Sequence, residues 1–594
     1  MNEETRKCQN CSTEFKIDSE DFAFYEKVSV PPPTWCPDCR LQRRLMFRNP
    51  QSLYKRACGL CGKDMITIYA PEKPHTVYCQ PCRWSDKWNP AAYGKEYDFT
   101  RPFFSQLKEL YEKMPLPALN TNYTTLLNSD YTNQTGNLKN CYLLFNSDYD
   151  ENCAYGTEIE SSKDCFDNLM IDGCEMTAQS VNCQKCYKAF YSVDCEGCHD
   201  IWFSKNLIGC TNCFGCANLR NKQYHIFNVG YSKDGYEQKL AEPGLGSWSG
   251  TKKSLRQARE LFQKLPVKFM HGRQNTGVTG DYITHSKYVR NSYIATEAQN
   301  CRYCLWLIVK TTRDSWDYAE YGDNAELIYE AINCGDNVSR VKFSMFILSG
   351  SSNVEYSHMC VSSQNLFGCI GLRKQKNCIL NKSYSEAEYK ELREKIIAEM
   401  QAKPYEEQGK KYAYGEFFPI SMSAFAYNES TAQQFFPLTA EECKNHGYSW
   451  RDTTERNYKI TTQPDELPDN IRDATDAVLN EVIGCAHGGT CNDQCTTAFK
   501  LIPQELAFYR RMNLPLPRLC FNCRHYERLK ERTPTKLWQR QCLCAGANSQ
   551  SGIYKNAAAH FHGDTPCPNK FETSYAPERT DIVYCETCYN AEVI

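Results

Sequence analysis

Residues 153–174 read CAYGTEIESSKDCFDNLMIDGC, and the spacing of their cysteines recurs along the chain. Cys153, Cys174, Cys195 and Cys216 follow one another at a constant interval of twenty-one positions. Cys165 and Cys186 repeat the same step, which divides each period into parts of twelve and nine positions. A fixed period of about 20 residues, rich in Asn, Asp, Ser and Tyr, is typical of a parallel β-helix. We therefore expect a first β-helix over 118–232, with coils of about 21 residues.

The end of this segment has a second copy at an offset of 153. Phe214-Gly215-Cys216 matches Phe367-Gly368-Cys369, and Tyr231-Ser232 matches Tyr384-Ser385. The match predicts a second β-helix over 278–384. A helix over 385–403 should follow it, because Ser385 and Glu388 have the spacing of a capping box.

Seventeen cysteines lie between positions 141 and 378. Because a recurrent inward cysteine is a good small apolar filler, we expect most of them to form a packing ladder inside the β-helices. The alternative is an additional metal or redox site, since pairs such as Cys183/Cys186 and Cys210/Cys213 have the spacing of metal ligands.

The N-terminal end carries four Cys-x-x-Cys pairs between positions 8 and 82: Cys8/Cys11, Cys36/Cys39, Cys58/Cys61 and Cys79/Cys82. Two such pairs can surround one tetrahedral Zn²⁺ and leave no open position, so that the metal contributes to folding. The simplest sequential pairing gives two Cys₄ sites, the first two pairs forming one and the last two the other. The alternative is that these cysteines are merely buried or disulfide-bonded.

The C-terminal end repeats the N-terminal one. At an offset of 484, Cys11, Cys36 and Cys39 fall on Cys495, Cys520 and Cys523; after a 22-residue insertion the offset is 506. The repeat predicts a third zinc site from Cys491, Cys495, Cys520 and Cys523. It predicts a fourth from Cys542, Cys567, Cys585 and Cys588, with Cys544 as the alternative to Cys542 and His560 or His562 as further donors. The expected cofactor is Zn²⁺, about four ions in all, zinc being the default metal for Cys₄ sites.

Each copy continues Cys-x-x-Cys-Arg-x₃-Arg-x₃-Arg, which places three arginines along one face if the last cysteine opens a helix. The two stripes are Arg40, Arg44 and Arg48 in the first copy and Arg524, Arg528 and Arg532 in the second. Windows 26–58 and 510–542 carry net charges of +5 and +7, within a chain of net charge −2. Arginine forks suit phosphate, so the stripes are candidate nucleic-acid contacts. Alternatively, they pair with the protein's own acidic surface.

The whole chain has 594 residues and 36 cysteines, too long to need disulfides for lack of a core. It has no apolar run of transmembrane length and no signal peptide, and clustered reduced thiols favour a cytoplasmic protein without membrane partners. There is no Walker A sequence, His-Glu-x-x-His, Gly-x-Ser-x-Gly or deaminase motif, so the motifs lean against an enzyme and leave the question open, and we assign no catalytic residue.

Three segments carry a resemblance to a known family. They are WCPDCRLQRRLMFRNP (35–50), ELAFYRRMNLPLPRLCFNCRHYERLKERTPTKLW (505–538) and the terminal YAPE-x₅-YC-x₂-C (575–588). The chain resembles a family of large cysteine-rich zinc-ribbon and β-helix proteins encoded in candidate-phyla bacterial genomes. The resemblance implies no particular activity.

These patterns predict a mainly β, multidomain protein in which two right-handed parallel β-helix segments are flanked by duplicated treble-clef or zinc-ribbon modules, with a few helices. The expected order is a tandem zinc module (1–97), a connecting helix (98–117), the first β-helix (118–232), a helical linker (233–277), the second β-helix (278–384), a helix (385–403), a connecting segment (404–480) and a second zinc module (481–594).

The leading functional hypothesis is a zinc protein that binds structured RNA or the ribosome through the two arginine stripes. The alternative is a protein-interaction or self-assembly scaffold built on the β-helix faces, with the stripes as internal clamps. A zinc-dependent enzyme is the third hypothesis.

Overall fold

The structure is a computed structural model that describes residues 3–242, 244–309, 311–322, 325–452 and 458–594. Within these ranges the chain is mainly β, with two solenoids of stacked parallel strands and short hairpins that carry cysteine clusters. The predicted fold class is confirmed.

Within the described ranges there are twelve α-helices: α1 (Ser19–Lys27), α2 (Pro37–Leu45), α3 (Gln80–Arg83), α4 (Phe103–Lys113), α5 (Lys233–Leu240), α6 (Trp248–Phe262), α7 (Glu386–Ala402), α8 (Ala432–Phe435), α9 (Ala440–Asn445), α10 (Pro503–Met512), α11 (Phe521–Leu529) and α12 (Glu586–Val593). The short strands outside the solenoids pair as Glu4–Lys7 with Glu14–Ile17, Tyr54–Ala57 with Asp64–Thr67, Val77–Tyr78 with Leu116–Pro117, Pro266–Lys268 with Ile582–Tyr584, Tyr405–Glu407 with Lys410–Tyr412, Ile483–Gly484 with Ala498–Phe499, Trp538–Gln541 with Lys570–Thr573, and Cys544–Ala545 with Asn548–Ser549.

The first β-helix has coils of twelve positions. Its strands are Leu126–Leu127, Asn133–Gly136, Leu138–Lys139, Tyr142–Asp148, Ala154–Glu160, Leu169–Asp172, Val181–Gln184, Tyr187–Phe190, His199–Trp202, Thr211–Phe214, Gln223–Ile226 and Val229–Gly230. Parallel partners differ by twelve in residue number, as in Leu169 with Val181 and Ile201 with Cys213. The predicted coil length of twenty-one is therefore wrong. Cysteines at that longer interval share the interior without lying above one another.

A three-residue unit explains both spacings. From Gln134 to Phe227 every third residue has a positive φ, and up to Gly215 the residue that follows it is buried and inward, as Cys141 follows Asn140. Four such units close one coil. Both twelve and twenty-one are multiples of three, so cysteines at either spacing are inward. Asn, Asp and Gly are frequent at the turning positions because they tolerate the left-handed conformation best.

Several inward cysteine and serine side chains make the same two hydrogen bonds. Ser192 Oγ donates to the carbonyl of Phe190 at 3.1 Å. The same Oγ accepts a hydrogen bond from the backbone N–H of Ser204, one coil further on, at 3.2 Å. Likewise, Cys198 Sγ donates to the carbonyl of Glu196 at 3.3 Å and accepts the backbone N–H of Cys210 at 3.4 Å. These interior thiols are hydrogen-bond donors, and burial raises the pKa of Cys141 to about 12. These hydrogen bonds hold each sulfur atom to the backbone of its own coil and of the next one, which supports the packing role.

The second β-helix is less regular. Its described strands form one sheet: Gly272–Arg273, Gly280–Thr284, Lys287–Arg290, Ser292–Thr296, Gln299–Arg302, Leu305–Val309, Arg313–Gly322, Ile328–Cys334, Ser339–Met345, Ser352–Glu355, Gln364–Phe367, Lys376–Ile379 and Lys382–Ser383. Cys301 pairs with Ser315 and Ser315 with Ile328, which are register steps of fourteen and thirteen positions, whereas the last coils return to twelve. These added residues disturb the cysteine spacing, which explains why the repeat is weak in the sequence.

Each β-helix ends in the same way. Its last strand turns back as a short antiparallel strand, Val229–Gly230 in the first and Lys382–Ser383 in the second, and a helix follows. The helix after the second is α7, and the predicted capping box of Ser385 and Glu388 is confirmed at its start. Such ends stop further strands from adding to the stack.

The chain forms two compact units, each combining a cysteine module with the β-helix further from it in sequence. The first unit contains Met1–Leu119, Met270–Arg451 and Thr535–Leu537, so the N-terminal cysteine module shares it with the second β-helix. The second unit contains Asn120–Phe269, Asp452–Pro534 and Trp538–Ile594, which unites the first β-helix with the C-terminal module.

The interior hydrogen bonds predict how a ladder cysteine responds to substitution. Cys198→Ala should lower the free energy of unfolding by about 1–2 kcal/mol, because it opens a small cavity and removes two weak hydrogen bonds. The number of metal ions bound per chain should not change. Denaturant unfolding and elemental analysis of the full chain measure both quantities, with the exposed His199→Ala on the same coil as control. Loss of one metal ion in Cys198→Ala would contradict the packing role.

Candidate metal centres and their arginine helices

The first cysteine group is assembled by a hairpin and a helix. Cys8 and Cys11 lie on the turn after Glu4–Lys7, whereas Cys36 immediately precedes α2 and Cys39 lies in its first turn. The four Sγ atoms are all within 4.8 Å of one another, and those of Cys11 and Cys36 are 3.8 Å apart. Tetrahedral bonds of ~2.3 Å from zinc to sulfur require a separation of about 3.8 Å between sulfur atoms. This group can therefore hold a metal ion.

The second and fourth groups repeat this construction. Cys58, Cys61, Cys79 and Cys82 come together in one, and Cys542, Cys567, Cys585 and Cys588 in the other. The choice between Cys542 and Cys544 is therefore decided for Cys542. Cys544 lies in another group of four, with His560, His562 and Cys588, and shares Cys588 with the fourth group.

One hydrogen bond is common to all four groups. The backbone N–H of the cysteine that precedes the helix donates to the Sγ of the first cysteine of the group. The donor–acceptor pairs are Cys36 to Cys8 (3.2 Å), Cys79 to Cys58 (3.3 Å), Cys520 to Cys485 (3.3 Å) and Cys585 to Cys542 (3.2 Å). An N–H···S bond favours a thiolate. Such backbone donors lower the pKa of Cys58 to about 6, although burial alone would raise it.

This hydrogen bond assigns Cys485 as the counterpart of Cys8 in the third group. The group contains Cys485, Cys495, Cys520 and Cys523, so Cys485 takes the position that the sequence prediction gave to Cys491. Cys491 is half-buried nearby, its Sγ 3.6 Å from that of Cys523. The prediction missed Cys485 because the loop to Cys495 is much longer than the loop from Cys8 to Cys11. The strand before it is the available signal: Ile483–Gly484 precedes Cys485 as Glu4–Lys7 precedes Cys8.

The arginine stripe of α2 is buried against the second β-helix. Arg40 makes a bidentate ion pair with Asp317, in which Nε donates to Oδ1 at 3.0 Å and Nη2 donates to Oδ2 at 2.8 Å. Arg44 bridges Asp317 (3.2 Å) and Glu330 (3.0 Å), which lie on adjacent coils. Burial alone would lower the pKa of Arg40, but the Asp317 carboxylate holds it well above its ordinary value.

Further contacts complete this docking. Arg48, just beyond the C-terminal end of α2, pairs with Glu320, and Arg43 reaches Glu330 at 3.1 Å and Glu416 at 3.0 Å. Next to α2, Phe24 of α1 stacks on Trp316 with ring centroids 4.0 Å apart. The helix is thus held by both aromatic and ionic contacts.

The stripe of α11 docks on the first β-helix in the same way. Asp167 accepts from Arg524 and, at 3.2 Å, from Arg528, and Arg524 also reaches Glu505 of α10 at 3.1 Å. Phe508, the counterpart of Phe24, stacks on Phe166 at 4.5 Å. Phe166-Asp167 in the first β-helix and Trp316-Asp317 in the second therefore have the same role: the aromatic ring stacks on a phenylalanine of the module and the aspartate pairs with its arginines.

The arginines that the sequence predicted as nucleic-acid contacts are the ones that form these buried ion pairs. Five of the six arginines are at most 5% exposed and ion-paired: Arg40, Arg44, Arg48, Arg524 and Arg528. Arg532, beyond the C-terminal end of α11, is half-buried. In this conformation the five buried guanidinium groups cannot reach a phosphate in solution. Their arrangement matches the alternative expectation, internal clamps.

No protein-family model and no curated protein matches the chain. Among solved structures, it is similar to a crystal structure described as a putative acetyltransferase from Desulfovibrio desulfuricans G20. The identity is 13%, the match covers 44% of this chain and 70% of the other, and the TM-score is 0.10. A similarity of this size gives no information on fold or function. Among the described helices, none has the length and apolar character needed to cross a bilayer.

The third group yields a direct test of its ligand assignment. Cys485→Ser should remove one metal ion per chain, because it deletes the thiolate that accepts the N–H of Cys520. Cys491→Ser, the matched control, should keep that ion. Elemental analysis of the purified full chain measures the difference. Retention of metal in Cys485→Ser together with its loss in Cys491→Ser would restore the assignment made from the sequence.

The docking predicts a large effect from one corner carboxylate. Asp167→Asn leaves two buried guanidinium groups without their shared charge, and should lower the free energy of unfolding by about 3 kcal/mol. Asp200→Asn is the matched control, because Asp200 also has a left-handed φ in the first β-helix but is 44% exposed beside Lys188. Asp200→Asn should lower the free energy of unfolding by less than about 1 kcal/mol. Equal unfolding midpoints of Asp167→Asn and Asp200→Asn in denaturant would exclude the clamp role.

Proposed function

We propose that the protein is a non-catalytic, zinc-dependent interaction scaffold of the cytoplasm. The observation that carries this proposal is the buried arginine–carboxylate docking, which occurs in both units and joins a cysteine module to a β-helix. Four-thiolate groups favour zinc over harder cations, and thiolates persist in a reducing compartment. In this role zinc orders the arginine helices, and the helices hold the β-helices.

The outer faces of the β-helices are the proposed binding surfaces. Repeat proteins offer extended surfaces with regular spacing, and their partners are often other proteins. In the first β-helix an amide ladder runs along one corner. Asn128 donates to Asn140 at 3.0 Å, Asn140 to Asn152 at 3.2 Å, and Asn152 to Asp164 at 3.1 Å. Such a ladder is a rigid polar ridge that needs no rearrangement to bind.

The hypothesis of RNA binding through the two stripes has less support. Phosphate contact by Arg40, Arg44, Arg524 or Arg528 would require these side chains to leave buried carboxylates. Breaking such a pair costs about 3–5 kcal/mol. The clamp role uses the same arginines without that cost.

Co-purification from the native cell without nuclease separates the two functions. We expect the full chain to retain protein partners and no RNA. Asn140→Arg, on the amide ladder, should weaken partner retention while the fold is kept. Arg256→Glu, an exposed arginine of α6 with 72% of its side chain accessible, is the charge control and should behave as wild type.

Purified protein and labelled structured RNA give the opposing readout. Six phosphate contacts would make the affinity fall about 10³-fold between 50 and 200 mM salt. We expect no such binding. A steep salt dependence that disappears in Arg44→Glu, with the fold intact by circular dichroism, would establish RNA binding instead.

A further inference from the structure

The 22-residue insertion of the C-terminal module brings additional donors to the fourth cysteine group. Cys544, His560 and His562 lie in residues that have no counterpart near Cys58 and Cys61. Their ligand atoms and the Sγ of Cys588 all lie within 4.8 Å of one another. Cys588 also belongs to the group of Cys542, so one thiol is common to two sets of four donors.

Both histidines are oriented as metal ligands. His562 is bound through Nδ1 to the carbonyl of Thr565 at 2.7 Å, and its Nε2 lies 3.3 Å from the Sγ of Cys588. His560 is bound through Nε2 to Glu592 at 3.0 Å. Its side chain is 1% exposed, yet its Nδ1 has no hydrogen-bond partner among the described residues. A buried nitrogen without a partner is costly, and a metal ion would satisfy it.

The carboxylate that orients His560 is itself fixed. Glu592 accepts from the backbone N–H groups of Ala557 and Ala558 at 2.9 and 3.0 Å, and from the hydroxyl of Tyr554 at 2.9 Å. A ligating histidine usually donates its other nitrogen to such a carboxylate, which sets the tautomer and raises the basicity of the ring.

The number of donors determines how two ions would be bound. Cys542, Cys544, Cys567, Cys585, Cys588, His560 and His562 make seven donors. Two tetrahedral ions need eight coordination positions. Seven donors fill eight positions only if one of them binds both ions, and Cys588 is the thiol that both sets contain.

We propose that the C-terminal module binds a pair of zinc ions bridged by the Cys588 thiolate. One ion is bound by Cys542, Cys567, Cys585 and Cys588, and the second by Cys544, His560, His562 and Cys588. The inference rests on the zinc occupancy proposed above for the first of these sets. Two thiolates and two imidazoles suit zinc, and the set leaves no open position for substrate.

Elemental analysis of full-length variants tests the bridge. His562→Ala should lose one zinc ion relative to wild type. Cys588→Ser should lose two, whereas Cys567→Ser, which changes a non-bridging ligand, should lose one. His446→Ala, an exposed histidine outside these groups, should lose none. Equal metal content in wild type and His562→Ala would overturn the second ion, and equal loss in Cys588→Ser and Cys567→Ser would overturn the bridge.

Cobalt substitution of the wild-type chain gives a readout that does not depend on variants folding. Two Co²⁺ ions that share a thiolate should couple, so their paramagnetic resonance signal should be weaker than the cobalt content requires. Full signal intensity from all bound cobalt would overturn the bridge. The scaffold proposal is judged separately by partner retention: a chain that keeps its partners but lacks the second ion refutes the bridged pair alone, and the reverse result refutes the scaffold alone.

Discussion

A buried aspartate at a left-handed corner of each β-helix holds the structure of each unit together. Asp167 in one unit and Asp317 in the other each pair with two arginines of a helix that begins at a cysteine of a candidate metal group. An unpaired buried carboxylate or guanidinium is costly, so neither the helix nor the coil is stable at this position without the other. Small hairpins around cysteine groups, with little core of their own, thereby become part of a large core.

The arginine helices also depend on the cysteine groups at which they begin. In α2 and α11 the first helical turn contains a cysteine of the group, and the arginines follow directly after it and one turn later. Metal binding to such a site is coupled to folding, because the site does not exist in the unfolded chain. With zinc bound as proposed, removal of the ion should therefore release the arginine helix as well as the hairpin.

The two duplications are combined crosswise. The N-terminal module docks on the second β-helix and the C-terminal module on the first. The pairing depends on matched residues rather than on proximity in sequence. Each β-helix presents an aromatic residue followed by aspartate, Phe166-Asp167 or Trp316-Asp317, and each module presents the corresponding phenylalanine and arginines. The one large departure from the duplication, the insertion in the last module, also contains the additional donors His560 and His562.

The sequence by itself determined the β-helix class, the duplicated cysteine modules, fifteen of the sixteen predicted group members and the capping box at Ser385. These features depend on local spacing: the Cys-x-x-Cys pairs, the Ser-x-x-Glu of the capping box, and a repeated inward position. Only the tertiary structure decided the rest. The true coil length was hidden because every third residue is inward, so cysteine intervals of nine, twelve and twenty-one positions fit equally well. Cys485 joins its group through a hairpin whose loop length differs between the copies. The burial of the arginines depends on Asp167 and Asp317, which lie far away in the sequence, and no local pattern marks an aspartate as the partner of a distant helix.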